Sequence, residues 1–218
     1  MLSEIITCGC GYFLNTGSTL SLVYKPSAME QEFFHVRMII GVIVGLSITN
    51  LLKGIAKFIV HPEKEKPYWL HLLWVIYFFI LLTHFWWWEF ALSHLGHWGF
   101  HEYLFIVIFA TLFFLNTALL FPEQLTEYVG FADYYTKRIN WFFAVLVVIY
   151  AFDVVDGAMK GKSHMQYLGS EYFVSTALHI LCVLILMRVK RVRLHAGVAI
   201  LFLLYQLVWI YRTYRWLG

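Results

Sequence analysis

The sequence contains six stretches of about 20 mostly apolar residues, each long enough to cross a lipid bilayer as an α-helix. They cover residues 34–60, 68–90, 102–121, 139–158, 171–189 and 194–216. Pro62, Pro67 and Pro122 lie at or next to the ends of the first three, as expected for a residue that stops helices. The pattern predicts an all-α, polytopic transmembrane helix bundle of about six membrane-spanning helices with no soluble domain. We divide the chain into a polar N-terminal lead-in, 1–33, and a single six-helix transmembrane domain, 34–218.

The composition favours a membrane protein over a soluble one. Hydrophobic residues make up 61% of the 218 residues and charged residues only 13%, whereas a soluble domain usually carries about 25% charged residues. A soluble domain of this size exposes roughly a quarter to a third of its unfolded-chain surface, so one core could not hide so much apolar surface. The net charge of +3 is too small to indicate a nucleic-acid partner. The lipid bilayer is therefore the expected environment.

The distribution of Lys and Arg predicts an orientation, because short cytoplasmic loops carry an excess of these residues. Ten of the sixteen lie in or beside the loops that follow the first, third and fifth apolar stretches, and six lie on the other side. This bias places those three loops in the cytoplasm and both termini outside. An even number of spans also requires the termini to share a side.

Ionisable side chains within apolar spans are costly, so each is a candidate functional residue. On the predicted topology they gather in the outer half of the bundle, with Arg37 at the start of the first helix able to pair with the acids. The candidates for an ion or proton pathway are His84, Glu89, Asp153, Asp156, His179 and Arg37. The alternative is that the acids reach the headgroups from helix ends, that Arg37 extends to the interface, and that His179 forms an interhelical hydrogen bond.

The first apolar stretch carries a G-x-x-x-G spacing, Gly41 and Gly45, followed by Asn50. Small residues four apart let helix backbones approach closely, and an amide forms hydrogen bonds between helices. We predict that these three residues pack helices together. The contact lies either inside the bundle or between copies of the chain, and we expect a homo-oligomer or another membrane protein as partner.

Three histidines in the segment 83–103 have a spacing that zinc ligands can adopt: His94, His97 and His101. Glu89 or Glu102 could supply a fourth ligand. Gly96 and Gly99 argue against a continuous helix, and no H-E-x-x-H motif is present. The competing interpretation is an interfacial loop with its His and Trp side chains at headgroup level.

A haem site and a catalytic nucleophile find less support. His71 and His84 are separated by about 19.5 Å along a helix, which suits two haems, but by about 140° around it, which does not. There is no G-x-S-x-G motif, and we predict no catalytic residue. We therefore predict no cofactor, and keep a metal or a haem as alternatives.

Several short segments resemble a group of uncharacterised bacterial multi-pass inner-membrane proteins. They are GLSITNLLKG at 45–54, WLHLLW at 69–74, FWWWEF at 85–90, and the aromatic and basic residues of 134–143. The resemblance implies a bacterial inner-membrane protein. It implies no activity and no site residues.

The outer-half polar residues favour a channel or transporter-like protein that moves protons or cations. The small number of polar groups near mid-membrane favours the first alternative, a non-conducting interaction, sensor or accessory protein. The second alternative is a metal- or haem-binding redox protein of the membrane.

Overall fold

The computed structural model describes residues 28–63, 66–94, 98–122 and 125–214. These residues form six α-helices, and Glu89–His94 continues the second as a 3₁₀ helix. The described residues contain no strand, which confirms the prediction of an all-α bundle. The helices are α1, Ala28–Val60; α2, Trp69–Trp88; α3, Phe100–Leu120; α4, Phe131–Met159; α5, Lys162–Arg188; and α6, Val192–Tyr214.

All six helices are long and apolar enough to cross a membrane. Large apolar side chains cover the outside of the bundle, for example Val42, Leu181 and Leu204, each more than half exposed. An apolar surface of this extent is unfavourable in water and favourable in lipid. The chain is therefore a multi-pass membrane protein.

The helices pack around a core of aromatic rings. α1 packs on α3 and α2, α3 on α4, α4 on α5, and α6 on α2. Trp74 of α2 makes edge-on contacts with Phe142 and Phe143 of α4 and with Phe202 of α6. Edge-to-face pairs of this kind stabilise by about 0.5–1.5 kcal/mol beyond burial of their area. These contacts hold α2, α4 and α6 together in the middle of the bundle.

Three helices begin at least six residues before the apolar windows predicted, at Ala28, Phe131 and Lys162. Their first turns are polar, so a hydrophobic window leaves them out although the backbone is helical. In α5 the helix is also interrupted at Gly169, whose φ of 66° lies in the left-handed region. Glycine adopts this conformation without a Cβ clash, so α5 can bend there and continue.

The predicted packing residues lie in different environments. A Cβ at Gly41 would lie 2.9 Å from the indole ring of Trp86, so the missing side chain lets α1 approach α2. Asn50 Nδ2 donates to Thr117 Oγ1 of α3 at 3.2 Å. At Gly45 a Cβ would meet no atom within 4 Å. Gly41 and Asn50 therefore pack inside the bundle, while Gly45 faces away from it and a contact between copies stays a prediction.

Candidate functional site

A buried ion cluster lies where α2 and α4 end and α5 begins, which we call the Lys160 end of the bundle. Lys160 follows the last turn of α4, and its ammonium group donates to Glu89 Oε1 at 3.1 Å and to the carboxylate Oδ2 of Asp156. Asp156 precedes Lys160 by four residues, a spacing that places both side chains on one helix face. The three side chains are at most 2% exposed. We call Glu89, Asp156 and Lys160 the Lys160 cluster.

The Lys160 cluster contains two carboxyl groups for one ammonium group. Glu89 Oε2 and Asp156 Oδ1 are buried and have no hydrogen-bond partner among the described residues. If both carboxyls were ionised, the cluster would hold a net negative charge away from water, which is strongly unfavourable. A proton or a cation is therefore needed to balance it.

Lys160 itself remains charged at neutral pH. Burial lowers the pKa of its ammonium group, but the carboxylates of Glu89 and Asp156 raise it more, and the net shift is upward from the ordinary value. The ammonium group also lies 5.4 Å from the ring centroid of Trp88, within the range of a cation–π interaction.

The first turns of α5, before the bend at Gly169, lie next to the Lys160 cluster. His164 packs edge-on against Trp88 with their ring centroids 5.0 Å apart. Met165 lies close to Gly157, where a Cβ would come within 3.3 Å of the methionine sulfur. The bend therefore lets one helix both pack near the cluster and continue across the bundle beside α4.

A cavity adjoins the Lys160 cluster and is lined by residues of helices α2 to α6. It offers about 80 Å³ of space in which the centre of a water molecule fits. One water needs roughly 10–15 Å³ measured in this way, so the cavity has room for several. Asp153 of α4 is its acidic lining residue. The polar and aromatic lining also includes Tyr77, His84, Trp88, Tyr150, Tyr172, Ser175, Thr176, His179, Tyr205, Gln206 and Trp209.

Asp153 is positioned by a tyrosine from the neighbouring helix. The Tyr172 hydroxyl donates to Asp153 Oδ2 at 2.6 Å. The other carboxylate oxygen makes no hydrogen bond within the described residues, and Asp153 lines the cavity. One oxygen is thus held by protein, and the other is available to whatever occupies the cavity.

The two histidines of the cavity differ in how they are held. His179 Nδ1 lies 2.6 Å from the carbonyl oxygen of Ser175 and donates to it, so neutral His179 carries its acceptor on Nε2. The His84 ring has a partner on both sides: Gln206 Nε2 donates to Nδ1 at 3.0 Å, and the Tyr214 hydroxyl lies 3.2 Å from Nε2. His84 is thereby fixed by α6, whereas His179 keeps a free ring nitrogen.

The structure brings five of the six predicted pathway residues into the Lys160 cluster or the cavity beside it. His84, Asp153 and His179 line the cavity, and Glu89 and Asp156 form the Lys160 cluster beside it. Arg37 does not join them. Its guanidinium lies 3.3 Å from the ring centroid of Phe90, because α1 packs against the 3₁₀ helix and not against α4.

The predicted metal ligands lie partly outside the described residues, since these include neither His97 nor the side chain of His94. His101 is exposed and pairs with Glu102 at 2.8 Å, and Glu102 accepts a hydrogen bond from the Gly99 amide at 2.9 Å. Glu89, a candidate fourth ligand, belongs to the Lys160 cluster instead. In the described ranges no three His, Cys, Asp or Glu side chains are arranged to hold a metal ion.

The opposite end, where α2, α4 and α6 begin, contains a different polar arrangement. Trp74 Nε1 donates to the Tyr135 hydroxyl at 3.1 Å, and that hydroxyl lies 2.8 Å from His195 Nδ1. His195 Nε2 lies 2.8 Å from the carbonyl oxygen of Val189. Each donor in this line has an acceptor. We call it the Tyr135 chain, and this end of the bundle the Tyr135 end.

Sequence reasoning missed several residues of the site. Lys160 was not among the predicted site residues, although its spacing of four from Asp156 was a usable signal for an ion pair. Tyr172, Tyr205 and Gln206 carried no signal, because tyrosines and glutamines in apolar helices are common at membrane interfaces and helix contacts.

Comparisons with protein-family models, with curated proteins and with solved structures returned no match. Fold and geometry therefore define the class: a six-helix membrane protein with a buried ion cluster next to a polar and aromatic cavity. The resemblance to bacterial inner-membrane proteins stays a prediction.

Proposed function

We propose that the chain is a transporter-like membrane protein that moves protons or small cations, with the cavity at the Lys160 end as its binding chamber. One observation carries the proposal: two carboxyl groups, Glu89 and Asp156, share the single ammonium group of Lys160, and a third carboxyl group, Asp153, lines the adjoining cavity. Within a membrane the negative charge of excess carboxyl groups is unfavourable unless protons or cations neutralise it. Groups that exchange such a charge are the components of a proton or cation pathway.

The shape of the cavity supports alternating access more than an open pore. Tyr77 is the lining residue of α2 nearest the Tyr135 end, and its hydroxyl is hydrogen-bonded to that of Tyr150. Beyond this pair the aromatic core around Trp74 fills the bundle. Passage through a single chain would therefore require a change of helix packing.

The test is flux in proteoliposomes that contain the purified chain, driven by a pH gradient and, separately, by gradients of small cations. We expect flux above that of protein-free vesicles, reduced to the protein-free rate by Asp153→Asn and lowered by His179→Ala. The matched control is Asp133→Asn, because Asp133 forms an exposed pair with Lys137 and lies in the first turn of α4, at the other end of the helix. Flux that both cavity variants leave unchanged would contradict the proposal.

The packed aromatic core also favours a second candidate, a non-conducting sensor or accessory protein. In that case the charge in the cavity would change helix packing and so the contact with another membrane protein. A stable partner that copurifies with the chain, together with the absence of flux, would support it.

We further propose the bacterial inner membrane as the location, with both termini outside. The supports are the distribution of Lys and Arg and the resemblance of the segments 45–54, 69–74 and 85–90. Labelling of single cysteines placed in the connections near 62 and 161 by a membrane-impermeant reagent tests the orientation.

A further inference from the structure

We infer that the cavity binds a small ammonium cation, with Asp153 as its counter-ion and the aromatic lining as its cage. This inference rests on the proposed function and deepens it, because it names the chemical class of the transported or sensed cation. It stands on the lining of the cavity, on its size, and on the way the same region already holds an ammonium group.

Lys160 shows how this part of the protein accommodates an ammonium group without water. Its Nζ is held by the carboxylates of Glu89 and Asp156 and lies 5.4 Å from the ring centroid of Trp88. Trp88 also lines the cavity. The same indole therefore belongs to an occupied ammonium site and to the adjacent chamber.

The cavity has the same kinds of groups, a carboxylate and aromatic rings, but its described lining has no ammonium group. Its lining contains the carboxylate of Asp153 but no Lys or Arg, as far as the described residues define it. The faces of Trp, Tyr and Phe rings attract cations, by about 2 kcal/mol or more when both are removed from water. Aromatic side chains make up half of the lining: Tyr77, Phe85, Trp88, Phe113, Tyr150, Tyr172, Tyr205 and Trp209.

Three acceptors around the cavity suit the N–H groups of an ammonium ion. Asp153 has one carboxylate oxygen that no described residue binds, and His179 keeps Nε2 as an acceptor. The hydroxyl of Tyr205 is buried and has no hydrogen-bond partner among the described residues. The rings of His179 and Tyr205 lie close together, with their centroids 5.2 Å apart. An unpaired buried hydroxyl is costly, and a bound ammonium ion would supply its missing partner.

The volume of the cavity limits the size of the ligand. A cavity of about 150 Å³ holds benzene, and this one measures about 80 Å³. Ammonium and methylammonium fit, whereas choline is too large. Divalent metal ions fit the chemistry less well, because they take several oxygen ligands, carboxylates among them, and no three His, Cys, Asp or Glu side chains are suitably grouped in the described part of the chain.

The test is isothermal titration calorimetry of the purified full chain in detergent, with methylammonium chloride as the ligand and with potassium chloride and choline chloride as comparisons. We expect binding of methylammonium and of neither comparison cation. Asp153→Asn should abolish the binding, while the control Asp133→Asn should preserve it. Tyr205→Phe should weaken it about tenfold, the equivalent of one hydrogen bond to a charged group.

The inference is overturned if folded wild-type protein fails to bind methylammonium, or if potassium or choline binds equally well. It is also overturned if folded Asp153→Asn binds as the wild type does. Where Asp153→Asn does not fold, Tyr205→Phe decides: weaker binding supports the inference, and unchanged affinity contradicts it. Proton flux in proteoliposomes without methylammonium binding would overturn this inference and leave the proposed function standing, whereas binding without any flux would contradict the transport proposal alone.

Discussion

At the Tyr135 end of the bundle, Trp74, Tyr135 and His195 are joined in a line of hydrogen bonds that finishes on a backbone carbonyl. At the Lys160 end, Glu89 and Asp156 share one ammonium group, and each leaves one oxygen without a partner. Both groups are buried, and they lie at opposite ends of α2 and α4. Each donor of the Tyr135 chain has an acceptor within the protein, whereas the Lys160 cluster needs an added proton or cation to balance its carboxyl groups.

The difference separates two uses of buried polar groups. A fully paired network fixes the packing of its helices and specifies one arrangement. An incompletely paired network beside a cavity is expensive to keep, and such sites in proteins are commonly functional. The Tyr135 chain therefore fixes the packing of its helices, and under the proposed function the Lys160 end is the part that responds to protons or ligands.

The largest expected effect comes from removing the cation of the Lys160 cluster. Lys160→Met leaves two buried carboxyl groups facing each other, and breaking a buried ion network lowers the free energy of unfolding by about 3–5 kcal/mol. We expect a large drop in the unfolding temperature, measured by circular dichroism in detergent. Adding Glu89→Gln and Asp156→Asn to Lys160→Met should restore much of it, because no charge is then left buried.

The matched control is Lys137→Met in the same helix. Lys137 pairs with Asp133 at 2.9 Å with the same spacing of four residues, but the lysine side chain is 56% exposed. Exposed pairs contribute little, so we expect no measurable change. Equal destabilisation by Lys137→Met and Lys160→Met would show that burial of the cluster does not set its importance.

A smaller effect is expected from breaking the Tyr135 chain at the other end of the bundle. Tyr135→Phe removes the hydroxyl between Trp74 and His195 and leaves a donor and an acceptor unpaired, which costs about 1–3 kcal/mol. The variant should unfold at a lower temperature but retain wild-type flux and methylammonium binding. A loss of flux or binding at unchanged stability would contradict the division between the two ends.

The sequence was sufficient for the six spans because their apolar length is a strong signal. The depth of ionisable residues along each span also predicted that Glu89 and Asp153 lie in the same half of the bundle, and the structure has both at or beside the Lys160 cluster. Depth along a helix, however, does not say which face a residue occupies. Arg37 shares the predicted depth of the acids but faces Phe90, since the packing of α1 on its neighbours turns it that way.

The composition of the cavity was beyond sequence reasoning for a related reason. Tyr172 reaches Asp153 from α5 only because that helix bends at Gly169 and runs beside α4. Tyr205 and Gln206 face the cavity through the packing of α6 on α2. A set of partners drawn from four helices depends on interhelical contacts, which no local pattern of residues specifies.

The smallest expected effect is the contribution of Lys160 to the pH dependence of the unfolding temperature. The pKa of Lys160 is raised in the folded protein above its ordinary value of 10.5. A raised folded-state pKa contributes stability that is fully present below the ordinary value and is lost as the pH rises through the folded-state value.

The unfolding temperature of the wild type should therefore be insensitive to Lys160 near neutral pH. In alkali it should fall more steeply than that of the variant carrying Lys160→Met, Glu89→Gln and Asp156→Asn. Tyrosines that ionise in alkali are common to both proteins and cancel in the comparison. Parallel curves for the two proteins would mean that the carboxylates of the cluster do not hold the charge on Lys160.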